Sequence, residues 1–184
     1  MIQFASGEAA PSFDHPLEML HACHGKIQKQ LDTLQKLAAH LPGHGADRQA
    51  QQAAQGILRY FDTAGQFHHQ DEEENLFPVL LALDVPEKAQ IKALIENLLA
   101  QHAAMFAAWS DARAVLVKIA EGIDTPLHGA LVEKLVGSYM PHIHLEETEL
   151  LTLSARLLGP QQIMAIGKCM AERRGAKFPA APAV

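Results

Sequence analysis

The sequence predicts an all-α fold, an antiparallel up-down four-helix bundle with an additional short C-terminal helix, and three observations carry that expectation. Apolar residues recur at alternating three- and four-residue spacing through four long segments, which places them along one face of a helix. Pro- and Gly-containing breaks separate these segments at Pro42-Gly43-His44-Gly45, at Pro86, at Gly122 to Pro126 and at Gly159-Pro160. No period-two alternation marks a strand anywhere in the 184 residues.

Residues 1–13 show no clear periodicity and are expected as an N-terminal arm. The bundle is expected over residues 14–158. Its first helix starts from Asp14 as N-cap, with Pro16 in the first turn and Glu18 near the positive end of the dipole, and runs to about Leu41. Its seam is Leu17, Leu20, Ile27, Leu31, Leu34, Ala38 and Leu41, with His24 filling the gap. The second helix is expected to begin near Asp47 and to carry Leu58, Phe61, Gly65, His68, Glu72, Leu76 and Val79 on one stripe. Pro78 lies inside that pattern and predicts a kink or an end, because it lacks a backbone donor and crowds the preceding turn.

Pro86 is expected to open the third helix, which ends near Gly122. Its stripe is Ile91, Leu94, Leu98, His102, Met105, Trp109, Ala112, Leu116 and Ile119. Thr125-Pro126 reads as N-cap and first helical residue of the fourth helix, whose stripe is Leu131, Leu135, His142, Glu146, Leu150, Leu153 and Leu157, with a local kink at Pro141. Residues 159–175 form a short amphipathic helix around Ile163, Ile166 and Met170, and 176–184 a flexible tail.

The bulk numbers fit a single globular domain, with 48% hydrophobic residues in the chain. A net charge of -6 without any long Lys/Arg run argues against a nucleic-acid partner, whose phosphates need basic neutralisation. No apolar run approaches the roughly 18 residues of a membrane span, and no signal-peptide pattern appears, so no membrane is expected and the expected compartment is the cytoplasm. Cys23 and Cys169 lie far apart and in no CxxC arrangement, so each reads as a small buried hydrophobe. Histidine is the outlier, with 11 in the chain and several in apolar seams where an unpaired polar group is costly.

An internal repeat selects among them. His68 to Phe77 and His142 to Leu151 both read H-x-x-x-E-E-x-x-L-(F/L), and Leu20-His24-Ile27 matches Leu98-His102-Met105 more weakly. Residues four apart on a helix share a face, with β-carbons roughly 5 to 6 Å apart, so His68/Glu72 and His142/Glu146 each present a nitrogen and a carboxylate to one spot. Four packed helices bring both pairs toward His24 and His102. Six N/O ligands exceed the closed tetrahedral set of structural zinc and suit iron or manganese in a dinuclear centre with vacant positions. His69/Glu73 has the same spacing as His68/Glu72; the latter is preferred because it aligns with His142/Glu146, the rival lying about 100° further round the helix. His21, His69, His144, Glu73 and Glu147 read either as partners that orient ligands or as surface groups, and Tyr139 as core or as a donor to a bound oxygen species. His15, His40, His44 and His128 fall near helix ends and are expected in solvent.

These residues resemble the hemerythrin-like HHE cation-binding family from roughly Pro16 to Leu158. The two HxxxE motifs are specific together, though weak singly. The resemblance implies a non-haem di-iron centre, two Fe ions with an oxo or hydroxo bridge, held by His24, His68, Glu72, His102, His142 and Glu146. It further implies a small diatomic or peroxide ligand, oxygen, nitric oxide or peroxide, in sensing, storage or detoxification. The sequence departs from oxygen-carrying hemerythrins, which place two histidines a turn apart on the third helix; the position one turn after His102 is Phe106. That departure is similar to bacterial members linked to gas sensing and iron-sulfur repair, the repair branch also carrying a cysteine-containing N-terminal domain with no counterpart before Pro16. A di-iron peroxidase or oxidase, a repair factor, and a helical interaction module with a structural metal stand as alternatives. Native metal, redox partner and oligomeric state are left open.

Overall fold

Helix α1 spans Pro16–His44 in the computed structural model, which describes residues 12–178. Residues 1–11 and 179–184, most of the expected arm and tail, lie outside the described residues. Asp14 does not cap α1: its carboxylate accepts from the Ser12 hydroxyl, and the cap position falls to His15, whose side chain makes no cap bond. The helix outlasts its expected end at Leu41 because Pro42 is accommodated in the last turn, and the chain leaves only at Gly45, where φ is 61°.

Helix α2, Arg48–Phe61, begins as expected, with the Asp47 carboxylate accepting from the Ala50 amide at 2.8 Å. The second rod is not continuous, however. It breaks at Asp62 and Thr63, resumes as α3 (Ala64–Gln70), widens into a π-helical segment π1 (Asp71–Leu76) and closes as α4 (Phe77–Leu81). Side chains from the third rod hold the break: Arg113 Nε donates to both Asp62 oxygens at 2.9 Å and Trp109 Nε1 to one at 3.2 Å, while the Thr63 hydroxyl ties back to the Arg59 carbonyl at 2.6 Å. Pro78 neither ends the rod nor sits at its widest point; it occupies the first turn of α4, just past the widened turn.

Helix α5 spans Lys88–Ala120, starting beyond Pro86, which lies in the preceding turn, and stopping before Gly122 at φ 80°. Helix α6, Gly129–Leu145, starts later than expected, because the Thr125 hydroxyl turns back to the Ile123 carbonyl at 3.1 Å and His128 takes the cap position. The fourth rod then widens into π2 (Glu146–Leu150) and ends as α7 (Leu151–Leu157). Helix α8 is Pro160–Arg173, its start closed by Gln162 accepting from the Gly159 amide at 2.8 Å.

Every element among the described residues is helical, giving a helical bundle in which α1 and α5 each pack against both α2 and α6, while α8 lies along α1 and π1. No helix of the described residues is long and apolar enough to cross a membrane. The interior is divided. One apolar cluster holds Ile27, Leu31, Phe61, Met105, Trp109 and Tyr139, and a second holds Leu20, Leu76, Phe77, Leu98, Leu150 and Met170. Each fully buried aliphatic side chain contributes roughly 1.5–3 kcal/mol. Gly167 lets the Phe13 backbone cross α8, since a Cβ there would collide with the Phe13 carbonyl. Between the two clusters lies a polar layer.

Candidate metal centre

The polar layer is built from His24, His68, Glu72, His102, His142 and Glu146, all buried, with no more than 4% of any of them exposed. The backbone explains how four rods converge there. Each HxxxE pair starts in regular α-helix and places its glutamate at a π turn: the Phe77 amide reaches back five residues to the Glu72 carbonyl, and the Leu151 amide does the same to the Glu146 carbonyl. Such widened turns insert a residue and displace the carboxylates relative to an unbroken helix. Of the two registers left open by the sequence, His68 and Glu72 point inward, whereas the Glu73 side chain is 41% exposed.

Each carboxylate faces two pairs of imidazoles. Glu146 Oε2 lies 3.0 Å from His24 Nε2 and 3.8 Å from His68 Nε2, and its Oε1 lies 2.9 Å from His142 Nε2 and 3.8 Å from His102 Nε2. Glu72 repeats the arrangement more loosely, with Oε1 3.7 Å from His68 Nε2 and Oε2 3.6 Å from His102 Nε2. The result is two overlapping sets, His24/His68 and His102/His142, that share both glutamates, with ligand atoms within 4.8 Å of one another in each.

The outer nitrogens are tied in a matching way. His24 Nδ1 donates to Glu147 at 3.0 Å, His102 Nδ1 to Glu73 at 2.6 Å, and His142 Nδ1 to the Gln101 carbonyl oxygen at 2.9 Å. The second glutamate of each EE pair therefore holds the lone histidine of the other half. With Nδ1 donating, the neutral ring turns its Nε2 lone pair to the centre. His102 Nε2 and His142 Nε2 then face each other at 3.2 Å, acceptor against acceptor. Both oxygens of Glu72 and Glu146, and Nε2 of His24 and His68, have no hydrogen-bond partner among the described residues. A buried cluster of acceptors facing one another without donors is stable only around protons or cations, so these residues fit a metal.

Electrostatics agree. Where protons rather than a metal occupy the Nε2 atoms, burial still raises the Glu146 carboxyl, but hydrogen bonds from His102, His142, His24 and His68 outweigh it and hold Glu146 well below the ordinary carboxylate range. Burial, reinforced by the charge of Glu146, pushes Glu72 well above that range. Burial lowers His68, while at His24 it is overcome by Glu146 and Glu147, so His24 is raised. Burial also pushes the Tyr139 phenol up, and its ring packs on Phe61 at 5.5 Å as part of the core.

Two participants had no signal in the sequence pattern. One is Gln101. The other is Asp71, which is wholly buried and paired with Arg173 and, at 2.6 Å, with Arg174 of the segment at the end of α8. Arg173 also donates to Asn75 at 2.9 Å and Glu74 at 2.6 Å, so α8 clamps π1 beside Glu72. Among the remaining histidines, His144 is exposed and apart, while His40, expected in solvent, is half-buried and pairs with Asp47 at 3.1 Å. Cys23 and Cys169 are free and only half-buried. A surface cleft of about 580 Å³ reaches the layer at His69, Glu73 and His102, flanked by the exposed Phe106. A similar cleft of about 610 Å³ lies at the other end of the bundle, around Leu41 and Asp124, away from this chemistry.

This fold and this donor set define a cation-binding helical domain, and the family model for the hemerythrin HHE cation-binding domain matches residues 15–154. The chain belongs to that family. An uncharacterized protein of Haemophilus influenzae is 28% identical over 176 residues, which cover 96% of this chain and 99% of its own length.

Proposed function

We propose that the protein is a non-haem di-iron protein that binds or reacts with oxygen, nitric oxide or peroxide in sensing, storage or detoxification. The observation that carries this reading is that each carboxylate turns one oxygen toward each histidine pair. His24 and His68 would hold one iron, His102 and His142 the other, and Glu72 and Glu146 would span both. Bound there, two irons supply Lewis acidity and a redox couple to a small ligand. The chain's own contribution is to orient and to exclude water. Glu147, Glu73 and Gln101 fix the rings through Nδ1, and Phe61, Leu98, Met105 and Trp109, all buried, close the layer above and below.

The same reading takes the bundle as antiparallel and up-down over residues 14–158, with 159–175 as an appended helix, acting in the cytoplasm without nucleic acid. Anaerobic titration with Fe(II), followed by exposure to oxygen, nitric oxide or peroxide, tests it. Two irons per chain and new visible charge-transfer bands are expected. Uptake of fewer than two, or a spectrum indifferent to every one of these ligands, rules the reading out. Turnover of peroxide, in place of stoichiometric binding, moves the assignment to a peroxidase.

A further inference from the structure

We propose that His69 supplies a third imidazole to the metal position at His102 and His142, so that the two positions of the centre are unequal. This assignment rests on the di-iron reading. The ligand nitrogens of His69, His102 and His142 all lie within 4.8 Å of one another. The His69 ring sits 4.3 Å from the His102 ring and 6.2 Å from the His142 ring, centroid to centroid. Its Nε2 is closed to solvent and has no hydrogen-bond partner among the described residues. An enclosed nitrogen left in that state is destabilising unless a proton donor or a cation meets it.

The polar side chains that border this pair of rings are turned to the ligand histidines instead. The Glu73 carboxylate takes the His102 Nδ1 proton and the Gln101 carbonyl oxygen takes that of His142. Packing does not demand a histidine either. The matching residue of the repeat is Ile143, an aliphatic residue buried at 2% exposure in the apolar core. Residues 68 and 69 are both in regular α-helix, so their side chains leave the axis about 100° apart and cannot serve one position. Accordingly His68 groups with His24, and His69 with His102 and His142. His69 also forms part of the floor of the cleft beside Phe106, so its ligation closes that side and leaves the His24/His68 position as the less filled one, which takes the exogenous ligand.

Cobalt(II) loading of the full chain tests the assignment, with His69→Ala and His69→Gln compared with wild type. Both variants are expected to keep the metal-free helicity of wild type. Equilibrium dialysis should show one of the two ions bound about 10- to 100-fold more weakly and the other within twofold. X-ray absorption should count one imidazole fewer per protein, and free imidazole should restore affinity in His69→Ala but not in His68→Ala, where the neighbouring ring blocks the gap. An unchanged imidazole count in His69→Gln, or equal weakening of both ions, overturns the assignment and leaves the di-iron reading intact. Wild-type protein that takes up fewer than two cobalt ions overturns both.

Discussion

The α3–π1 and α6–π2 segments carry the same H-x-x-x-E-E motif, yet they build unequal half-sites. Glu146 has a histidine nitrogen at 2.9 Å and another at 3.0 Å, whereas the nearest to Glu72 is at 3.6 Å. Glu146 is accordingly held ionised and Glu72 is pushed toward its neutral form. The residues between the shared positions differ as well: His69 and Asp71 in one segment stand where Ile143 and Leu145 stand in the other. Repetition thus marks the positions facing the centre, and its failures mark where the centre is asymmetric and where α8 is attached.

The largest effect should come from Glu146→Gln, which weakens contact with all four histidines and should drop bound metal from two ions to fewer than one per chain in elemental analysis. Glu72→Gln should retain one ion; equal losses would erase the asymmetry. Next, Asp71→Ala takes the buried carboxylate from Arg174 and leaves Arg173 only Glu74 and Asn75, and should cost about 3 kcal/mol in urea denaturation, whereas Leu145→Ala, in the matching place, should cost about 1 kcal/mol. Glu147→Gln loosens His24, and His21 beside it, while Glu73→Gln loosens His102; each should lower metal affinity by about tenfold, read by competition with a chelator.

The pH dependence separates the half-sites further. In metal-free protein the raised Glu72 and His24 bind protons more tightly folded than unfolded. Their contribution to stability is full below the ordinary carboxylate and imidazole ranges respectively, and is lost as pH rises through the raised values. Glu146 runs the other way, its contribution being lost as pH falls below the ordinary carboxylate range. Metal displaces the protons, so the stability gained on loading should grow with pH, as denaturation midpoints with and without chelator will show. The smallest effect belongs to His144→Ala, two residues from both His142 and Glu146 but exposed, which should change stability by less than about 0.5 kcal/mol and leave metal uptake unchanged.

Much of the fold was legible because seams at helical spacing are long: Leu20, Ile27, Leu98, Met105 and Leu135 were all read as core and all are buried. The convergence of the histidine and glutamate positions was legible from the doubled motif, which two unrelated solvent-facing helices have no reason to share. Helix starts are not legible in the sequence where two signals compete. Asp14 and Thr125 have capping chemistry, but each spends its oxygen on a neighbouring turn. The break at Asp62 depends on Arg113 and Trp109, some fifty residues away, which no local window detects. Asp71 sits in a run of four acidic residues, and only the Arg173 and Arg174 side chains distinguish it from its neighbours.

The paired π turns also shift the reading frame of burial. At the end of each one, adjacent residues Leu76 and Phe77, or Leu150 and Leu151, face the interior together, a doublet that a uniform α period does not call for. Deleting one residue from either turn would return the backbone to ordinary pitch and swing all that follows by about 100°. Its downstream apolar face would then meet water, so insertions and deletions are far less tolerable there than in the connecting loops. The chain length between histidine and leucine in each motif is in that sense as fixed as the identity of the residues themselves.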